Sequence, residues 1–283
     1  YDRHFSICEH FGIEMLTIDM LDTGPDMNAV EELVGKDATI KGIWCVPKYS
    51  NPTGVTFSDK VVDRLAAMKT AAPDFRIFWD NAYSVHTLTD DVAPLKNILK
   101  ACEEAGNPDR PLMFGSTSKV SFAGAGVGVI AASQANIAAT KLHMSKQTIG
   151  CDKLNQLRHV RFFKNLDGIH AHMQKHASIL KPRFDTVEAI LDQELGEQGI
   201  ATWSKPTGGY FVSLNTLEGC ARDVVALAKD AGVQLTGAGA TYPYKKDPRD
   251  SNIRLAPSLP SLEEIKLAME VVTTCVRLVS ARK

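Results

Sequence analysis

The sequence predicts an α/β fold with a mostly parallel β-sheet in a large first domain and a smaller α/β domain at the C-terminal end. Two patterns predict this fold. In the first half of the chain, short runs of β-branched and aromatic residues alternate with amphipathic stretches, which is typical of βαβ units. From Gly208 the pattern changes to strand, helix, strand, strand and a last helix. We expect the large domain over residues 1–165, and an interdomain helix with the small domain over residues 166–283.

Five short strands are expected in the first half, because each run is rich in β-branched or aromatic residues. They are Ile13–Asp19, Ile40–Val46, Arg76–Trp79, Pro111–Gly115 and Val127–Ala132. A helix is expected over Ser58–Ala71, where apolar side chains recur at helical spacing. Ser58 is the expected N-cap, since a serine oxygen can accept from the free N–H groups of the first turn.

The second half is expected to begin with a largely helical region. This region runs from about Lys153 to Leu195, and Pro182 should open or break a helix in it because proline lacks the backbone N–H. Strands at Tyr210–Leu214, Gln234–Thr236 and Ile253–Ala256 and a helix at Ala221–Ala231 follow. The last helix is expected to start after Ser261, because Ser261 and Glu264 have capping-box spacing.

Composition excludes several classes of protein. Lys and Arg total 32 and Asp and Glu total 33, so a net charge of −1 gives no basis for binding nucleic acid or an anionic membrane. The longest charge-free run, Val120–Thr140, is too polar to span a bilayer. Six cysteines without a C-x-x-C pair argue against a zinc site and indicate reduced thiols, so we expect a cytosolic protein.

Polar residues directly follow three of the predicted strands. Asn51 comes after the second strand, and Asp80 and Tyr83 come after the third. Ser116 and Lys119 come after the fourth. Because ligands bind outside the carboxyl ends of strands in open parallel sheets, we expect these side chains to converge on one rim. An amide, a carboxylate, a phenol and an amine at one rim predict a cofactor site.

These three segments, read in order, resemble a known family. They are Asn51-Pro-Thr-Gly54, Asp80-Asn-Ala-Tyr83 and Ser116-Thr-Ser-Lys119, and 29 residues separate Asn51 from Asp80 and 39 separate Asp80 from Lys119. The chain resembles the fold-type-I pyridoxal-phosphate (PLP) enzymes, specifically the class I/II aminotransferases. It is most similar to a bacterial aspartate aminotransferase subgroup once labelled MocR-like. The resemblance implies a PLP-dependent transferase fold.

The resemblance implies cofactor-binding roles that the chemistry also requires. Lys119 supplies the amine that forms a Schiff base with the PLP aldehyde and later moves the substrate Cα proton. Asp80 keeps the pyridine nitrogen protonated, so that the ring can accept electrons. Asn51 and Tyr83 resemble the residues that donate hydrogen bonds to the 3′ oxygen of the ring.

The resemblance also implies contacts with the phosphate and the substrate. Ser116 and Ser118 offer hydroxyl groups to the phosphate. Tyr1 occupies the position where relatives place an aromatic ring against the cofactor face. Arg254, in the segment N-I-R-L-A, resembles the arginine that binds the substrate α-carboxylate, with Asn51 as a second substrate contact.

The sequence departs from the family pattern at one position and contains a second, unusual glycine pattern. Many relatives carry a phosphate-binding arginine eight residues after the lysine, and this chain has Val127 there. The glycines at 124, 126 and 128 look like a dinucleotide-binding loop, but they precede a strand instead of following one. We interpret them as a place where the backbone approaches closely near the cofactor.

Two groups of charged or titratable residues have less specific patterns. His170, His172 and His176 include an i, i+4 pair, which we interpret as a solvated helix face, not a metal site. A dicarboxylate substrate would need a second cation, and five candidates lie in a plausible region: Lys141, Lys146, Lys153, Arg158 and Arg161.

The function predicted from these features is ping-pong transamination by PLP between an amino acid and a 2-oxo acid, with aspartate and 2-oxoglutarate as the substrates that the resemblance suggests. The family also implies a homodimer with active sites at the subunit interface. Two alternatives stay open: a ligand-sensing domain of a MocR-type transcriptional regulator, and a PLP lyase or decarboxylase. Because the chain starts at Tyr1, we expect it to be the C-terminal part of a longer enzyme and to bind PLP weakly by itself.

Overall fold

The computed structural model describes residues 2–90, 92 and 94–283, which form two compact units. The first, which we call the four-stranded unit, contains residues 18–50 and 55–175. The second, the three-stranded unit, contains residues up to 17, residues 51–54 and residues 176–283. The domain boundary expected between residues 165 and 166 stays a prediction.

The four-stranded unit is built on a mixed, mostly parallel sheet. Its strands, numbered along the whole chain, are β3 (Gly42–Cys45), β4 (Arg76–Asp80), β5 (Pro111–Ser116) and β6 (Gly128–Ala131), in the order β3-β4-β5-β6. The first two pairings are parallel and the third is antiparallel. A small hairpin, β1 (Met20–Leu21) and β2 (Gly24–Pro25), precedes the sheet. The helices of the unit are α2 (Met27–Lys36), α3 (Asp59–Ala67), α4 (Ile98–Glu104), α5 (Gln134–Gln147) and α6 (Lys153–Phe163).

The core of this unit lies between the sheet and α2, α3 and α4. Alternate residues of β4, Ile77 and Trp79, are fully buried, and they belong to one apolar cluster with Val62 and Leu65 of α3. The strands that the sequence predicts here agree with β3–β6 to within two residues at each end. Helix α3 is shorter than predicted and ends at Ala67, while Ser58 accepts from the backbone N–H of Val61 as the expected N-cap.

The three-stranded unit has an antiparallel sheet, β7 (Ala201–Trp203), β8 (Val212–Thr216) and β9 (Asn252–Leu255), in the order β7-β8-β9. Its helices are α1 (Asp2–His10), residues 176 onward of α7 (Leu166–Leu195), α8 (Ala221–Asp230) and α9 (Leu262–Ser280), with a 3-10 turn at Pro243–Lys245. The capping box of α9 is confirmed, because Ser261 accepts from the Glu264 N–H and the Glu264 carboxylate accepts from the Ser261 N–H.

Two predicted strands do not form. Residues 13–19 and 234–236, all within the described part of the chain, have no regular secondary structure. A strand needs a neighbour for its backbone hydrogen bonds, and neither segment pairs with a strand of the described sheets. Ile13 and Leu16 are instead exposed, so the apolar character of the first segment does not reflect burial.

The prediction that Pro182 opens or breaks a helix is wrong. Pro182 lies inside α7, which continues over 30 residues. A proline within a helix costs about 3 kcal/mol. Burial of one large apolar side chain contributes about 1.5–3 kcal/mol, and α7 buries Phe184, Val187 and Leu191 just after the proline. Packing of this face therefore outweighs the lost hydrogen bond.

Candidate active site

Lys119 lies on a short turn, residues 117–121, directly after β5. The backbone N–H groups of Val120 and Ser121 both donate to the carbonyl oxygen of Thr117, which closes the turn. The Lys119 Nζ lies 5.0 Å from the ring centroid of Tyr83, within the range of a cation–π contact. Tyr83 itself is buried. The structure thus brings together the amine and the phenol that the sequence predicts.

Asp80 is the last residue of β4 and pairs in register with Phe114 of β5. Burial raises the pKa of the Asp80 carboxyl, and the positive charge of Lys119 and a hydrogen bond from the Trp44 indole partly oppose this shift. The carboxylate therefore has cationic and N–H neighbours, but it lacks the full solvation of a surface aspartate. A group in this position is suited to hold a protonated ring nitrogen.

The two serines predicted for phosphate binding contact each other. Ser116 Oγ lies 2.9 Å from Ser118 Oγ, and the Ser118 N–H donates to Ser116 Oγ at 3.1 Å. Gly126 lies against Ser118, since a Cβ at position 126 would be 2.4 Å from Ser118 Oγ and 2.7 Å from its nitrogen. This confirms the close backbone approach expected from the glycine pattern. At position 127, where many relatives have an arginine, the backbone N–H of Val127 donates to Thr117 Oγ1 at 2.8 Å.

Asn51 and Arg254 come together within the three-stranded unit. Arg254, on β9, donates from Nη1 to Asn51 Oδ1 at 3.2 Å, and its guanidinium lies 4.7 Å from the ring centroid of Phe211. The peptide bond between Asn51 and Pro52 is cis. Among the residues that the structure describes, neither Asn51 Nδ2 nor Arg254 Nε has an acceptor, although both atoms are buried. Two buried donors without acceptors point to an anionic or carbonyl ligand.

The other predicted residues are less informative. Tyr1 lies outside the described residues. The five candidate cations, Lys141, Lys146, Lys153, Arg158 and Arg161, are all exposed on α5 and α6, so burial does not rank them. In the described chain, His, Cys, Asp and Glu side chains form no group of three that could hold a metal ion.

The interpretation of the three histidines as a solvated face is wrong for His172. Its Nε2 lies 2.9 Å from the Val120 carbonyl oxygen, and its ring packs edge-on against Phe162 and Phe163. His170 is exposed, as expected.

Three residues contact the site although no motif predicts them. The Trp44 indole bonds to Asp80, the His86 Nε2 lies 3.2 Å from the Lys119 carbonyl oxygen, and Phe211 lies against Arg254. Trp44 was detectable in principle. Side chains alternate between the two faces of a strand, so Trp44 lies on the face opposite to that of the buried Cys45. For His86 and Phe211 the sequence carries no comparable signal.

Comparison with known proteins decides the family. The model of the family described as aspartate amino-transferase matches residues 1–283. The chain belongs to the aspartate aminotransferase family. It is 52% identical over 281 residues to an aspartate aminotransferase of Corynebacterium glutamicum. The aligned region covers 99% of this chain and 65% of that protein. The chain is 54% identical over 275 residues to a Mycolicibacterium smegmatis protein named among the aminotransferases, with 97% of this chain and 64% of that protein covered.

A solved structure of this family agrees closely with the fold. The crystal structure of an aspartate transaminase from C. glutamicum superimposes on this chain with a TM-score of 0.98 at 52% identity. The superposition covers all of this chain and 66% of the transaminase chain. The predicted resemblance to fold-type-I, class I/II aminotransferases is therefore confirmed, as is the α/β fold class. The chain spans 64% and 65% of the length of the two relatives above.

Two further observations on this aminotransferase-family chain concern its helices and its cysteines. No helix in its described residues has both the length and the apolar character needed to cross a membrane. All six cysteines are free thiols, and four of them, Cys45, Cys102, Cys220 and Cys275, are buried.

Proposed function

We propose that this chain carries the catalytic lysine of a PLP-dependent aminotransferase, which moves the amino group of an amino acid to a 2-oxo acid in two half-reactions. One observation supports this most directly: Lys119 lies over the Tyr83 ring and within electrostatic range of Asp80, in the order and spacing typical of the family. Family membership and relatives named as aminotransferases support the same conclusion.

The side chains of the four-stranded unit have the chemistry that PLP requires. Asp80 would accept a hydrogen bond from the protonated ring nitrogen, and Tyr83 would donate to the 3′ oxygen. The hydroxyls of Ser116 and Ser118 would bind the phosphate, with the Ser118 backbone held close by Gly126. When bound, PLP supplies an electron sink that stabilises negative charge at the substrate Cα.

The side chains of the three-stranded unit suit a carboxylate. Arg254 keeps its Nε available for an acceptor, and a guanidinium presents its N–H groups in the planar geometry that matches a carboxylate. Asn51 Nδ2 is a second buried donor without an acceptor among the described residues. We assign Arg254 and Asn51 to the substrate α-carboxylate, with Asn51 also donating to the 3′ oxygen of PLP. Tyr1 is assigned to the cofactor face from the family resemblance alone.

Lys119 performs the proton transfers in this proposal. Its amine would accept the proton from the substrate Cα in the first half-reaction and would return a proton to the Cα of the new amino acid in the second. Aspartate and 2-oxoglutarate are the proposed substrates, since the C. glutamicum relative at 52% identity is named an aspartate aminotransferase. We also propose that the protein is cytoplasmic and forms a homodimer. The exposed apolar side chains of α5 and α6 support the homodimer.

The first prediction tests Lys119. Borohydride reduction in the presence of PLP should attach the cofactor mass to Lys119, and Lys119→Ala should abolish amino-group transfer from aspartate to 2-oxoglutarate. Lys266→Ala, which removes an exposed lysine of α9, is the matched control and should keep full activity. Peptide mapping by mass spectrometry locates the label, and a label on any other residue contradicts the assignment.

The same experiment separates the alternatives. A ligand-sensing domain would trap PLP at Lys119 and bind an amino acid without releasing a 2-oxo acid. A lyase or decarboxylase would consume the amino acid without transferring its amino group to an acceptor. Measurement of both products against a panel of 2-oxo acids therefore distinguishes the three reactions.

A further inference from the structure

The turn that carries Lys119 is hydrogen-bonded to His159 on α6. His159 Nε2 lies 2.7 Å from Ser121 Oγ and 3.0 Å from Thr117 Oγ1. These hydroxyls belong to the residues two positions after and two positions before Lys119. A single ring nitrogen thus contacts both ends of the turn, while the lysine side chain projects from its middle.

The partner of the other ring nitrogen determines what Nε2 can do. His159 Nδ1 lies 2.8 Å from the carbonyl oxygen of Asn155. A carbonyl oxygen only accepts, so Nδ1 carries the proton and donates it. In the neutral ring, Nε2 is then an acceptor. The Ser121 hydroxyl donates to it, because Nε2 at 2.7 Å is nearer than the other acceptor of this hydroxyl, the Thr117 carbonyl oxygen at 3.0 Å.

Helix α6 also fixes the segment that packs against this turn. Asn155 Nδ2 donates to the Ala125 carbonyl oxygen at 2.7 Å, and Thr117 Oγ1 accepts from the Val127 N–H at 2.8 Å. Gly126, between these two anchored residues, is the glycine that lies against Ser118. One face of α6 therefore holds the lysine turn and the glycine segment in a fixed arrangement.

Two more histidines bond to the backbone of the same turn. His86 Nε2 lies 3.2 Å from the Lys119 carbonyl oxygen and His172 Nε2 lies 2.9 Å from that of Val120. Both are N–H donors in these contacts, because carbonyl oxygens accept. They contact the backbone of the turn, whereas His159 contacts the hydroxyls of Thr117 and Ser121 at its two ends.

We propose that His159 is a positioning residue for Lys119: by accepting from Ser121 and bonding Thr117, it keeps the turn in the conformation that holds the lysine amine over Tyr83. The proposal rests on the proposed function, since positioning matters only if this amine reacts. A displacement of about 1 Å at a reacting group can lower a rate by about a hundredfold. A side chain at position 159 that cannot accept a hydrogen bond from Ser121 should therefore lower the reactivity of Lys119, although it does not contact the lysine.

The test compares two substitutions at the same position. His159→Leu removes the acceptor, whereas His159→Gln places an amide oxygen that can accept from Ser121. We expect His159→Leu to lower the rate of borohydride trapping of PLP at Lys119 by about ten- to a hundredfold. His159→Gln should recover most of this loss. His170→Leu, at an exposed position of α7, is the matched control and should not change the trapping rate.

A second measurement needs no cofactor. Acetic anhydride should acetylate Lys119 faster in His159→Leu than in the wild-type chain, relative to the exposed Lys266 in the same sample, because the amine is no longer held over the ring. Opposite changes in trapping and acetylation distinguish a misplaced amine from a general loss of reactivity. The free energy of unfolding, measured in urea, shows whether a variant is folded under the assay conditions.

Ser121→Ala provides a second route if His159→Leu does not fold. It removes the donor to Nε2 and should change both readouts in the same direction as His159→Leu, and the double variant should add little to either single change. Equal trapping and acetylation in Ser121→Ala or a folded His159→Leu and in the wild type would overturn the proposal. If the wild-type chain is not trapped at Lys119, the proposed function fails, and acetylation still tests whether His159 holds the turn.

Discussion

At the scale of single residues, Asp80 combines two opposing requirements. In its proposed role at the cofactor ring the carboxyl lies away from bulk water, and that burial raises its pKa above the usual value of 3.8. Lys119 and the Trp44 indole favour the ionised form, but they do not cancel the effect of burial. The folded state therefore binds a proton at Asp80 more readily than the unfolded state, and folding is penalised when this group is ionised.

Asp80→Asn should for this reason raise the free energy of unfolding at neutral pH while it lowers transamination by about 10²- to 10³-fold. The gain in stability should shrink as the pH falls from the raised pKa of the folded state towards 3.8, because the folded protein binds the proton there before the unfolded chain does. Below 3.8 the wild-type carboxyl is neutral in both states and the gain is lost. Urea titrations from neutral to acidic pH measure this difference. A difference that grows on acidification would contradict the sign of the pKa shift.

Arg254 carries the second prediction at this scale. Arg254→Lys keeps the charge but loses the planar set of donors and the stacking on Phe211. A hydrogen bond to a charged group contributes about 1.5–3 kcal/mol. Such a loss lowers kcat/KM for the amino acid by about ten- to a hundredfold. Arg222→Lys, at an exposed position paired with Asp250, should leave kcat/KM unchanged.

At the scale of elements, some parts of the molecule could be predicted from the sequence and others could not. β4 and β5 were predictable because their residues are apolar and β-branched or aromatic, and because turn residues bound them. The residues after these strands were predictable because a parallel sheet brings its carboxyl ends to one edge. Residues 13–19 have the same apolar character but form no strand, since strand pairing is decided by neighbours far along the chain.

The contacts of α6 show the same limit within the site. His159 is 38 residues away from Ser121, and nothing near either residue indicates that they meet. Pro182 is a related case, because the burial that keeps α7 continuous is a property of the folded unit and not of the local sequence. Local signals thus located the residues that we propose as reacting groups, and tertiary packing determined what holds them.

The close approach of Gly126 to Ser118 leads to a prediction about two neighbouring glycines. Gly126→Ala would place a methyl group 2.4 Å from Ser118 Oγ, so the turn and the glycine segment must separate. Gly128→Ala meets nothing within 4 Å. Titration with PLP should show at least about a tenfold weaker affinity for Gly126→Ala and an unchanged affinity for Gly128→Ala. Equal affinities would remove Ser118 from the proposed phosphate site.

At the scale of the whole molecule, α5 and α6 carry several large apolar side chains that are exposed. Leu142, Leu154, Val160 and Phe162 are each more than 60% exposed. The proposed homodimer would bury these side chains against a second copy of the chain.

Sedimentation of a concentration series tests this assignment. Leu142→Glu should raise the dissociation constant of the homodimer by about tenfold or more. Leu267→Glu, on α9, changes a leucine with the same exposed fraction of 64% and should leave the dissociation constant unchanged. A wild-type chain that stays monomeric at the highest concentration would contradict the proposed homodimer.

The bond from the Trp44 indole to Asp80 has an optical consequence. Trp44 lies nearly parallel to Phe78, with ring centroids 5.4 Å apart, so its indole is held in one orientation on the face of the sheet that carries the carboxyl. Indole emission responds to charge and polarity in its immediate surroundings. The protein therefore contains its own fluorophore at the carboxyl assigned to the cofactor ring, and changes in the charge of that carboxyl can be followed by light without an added label.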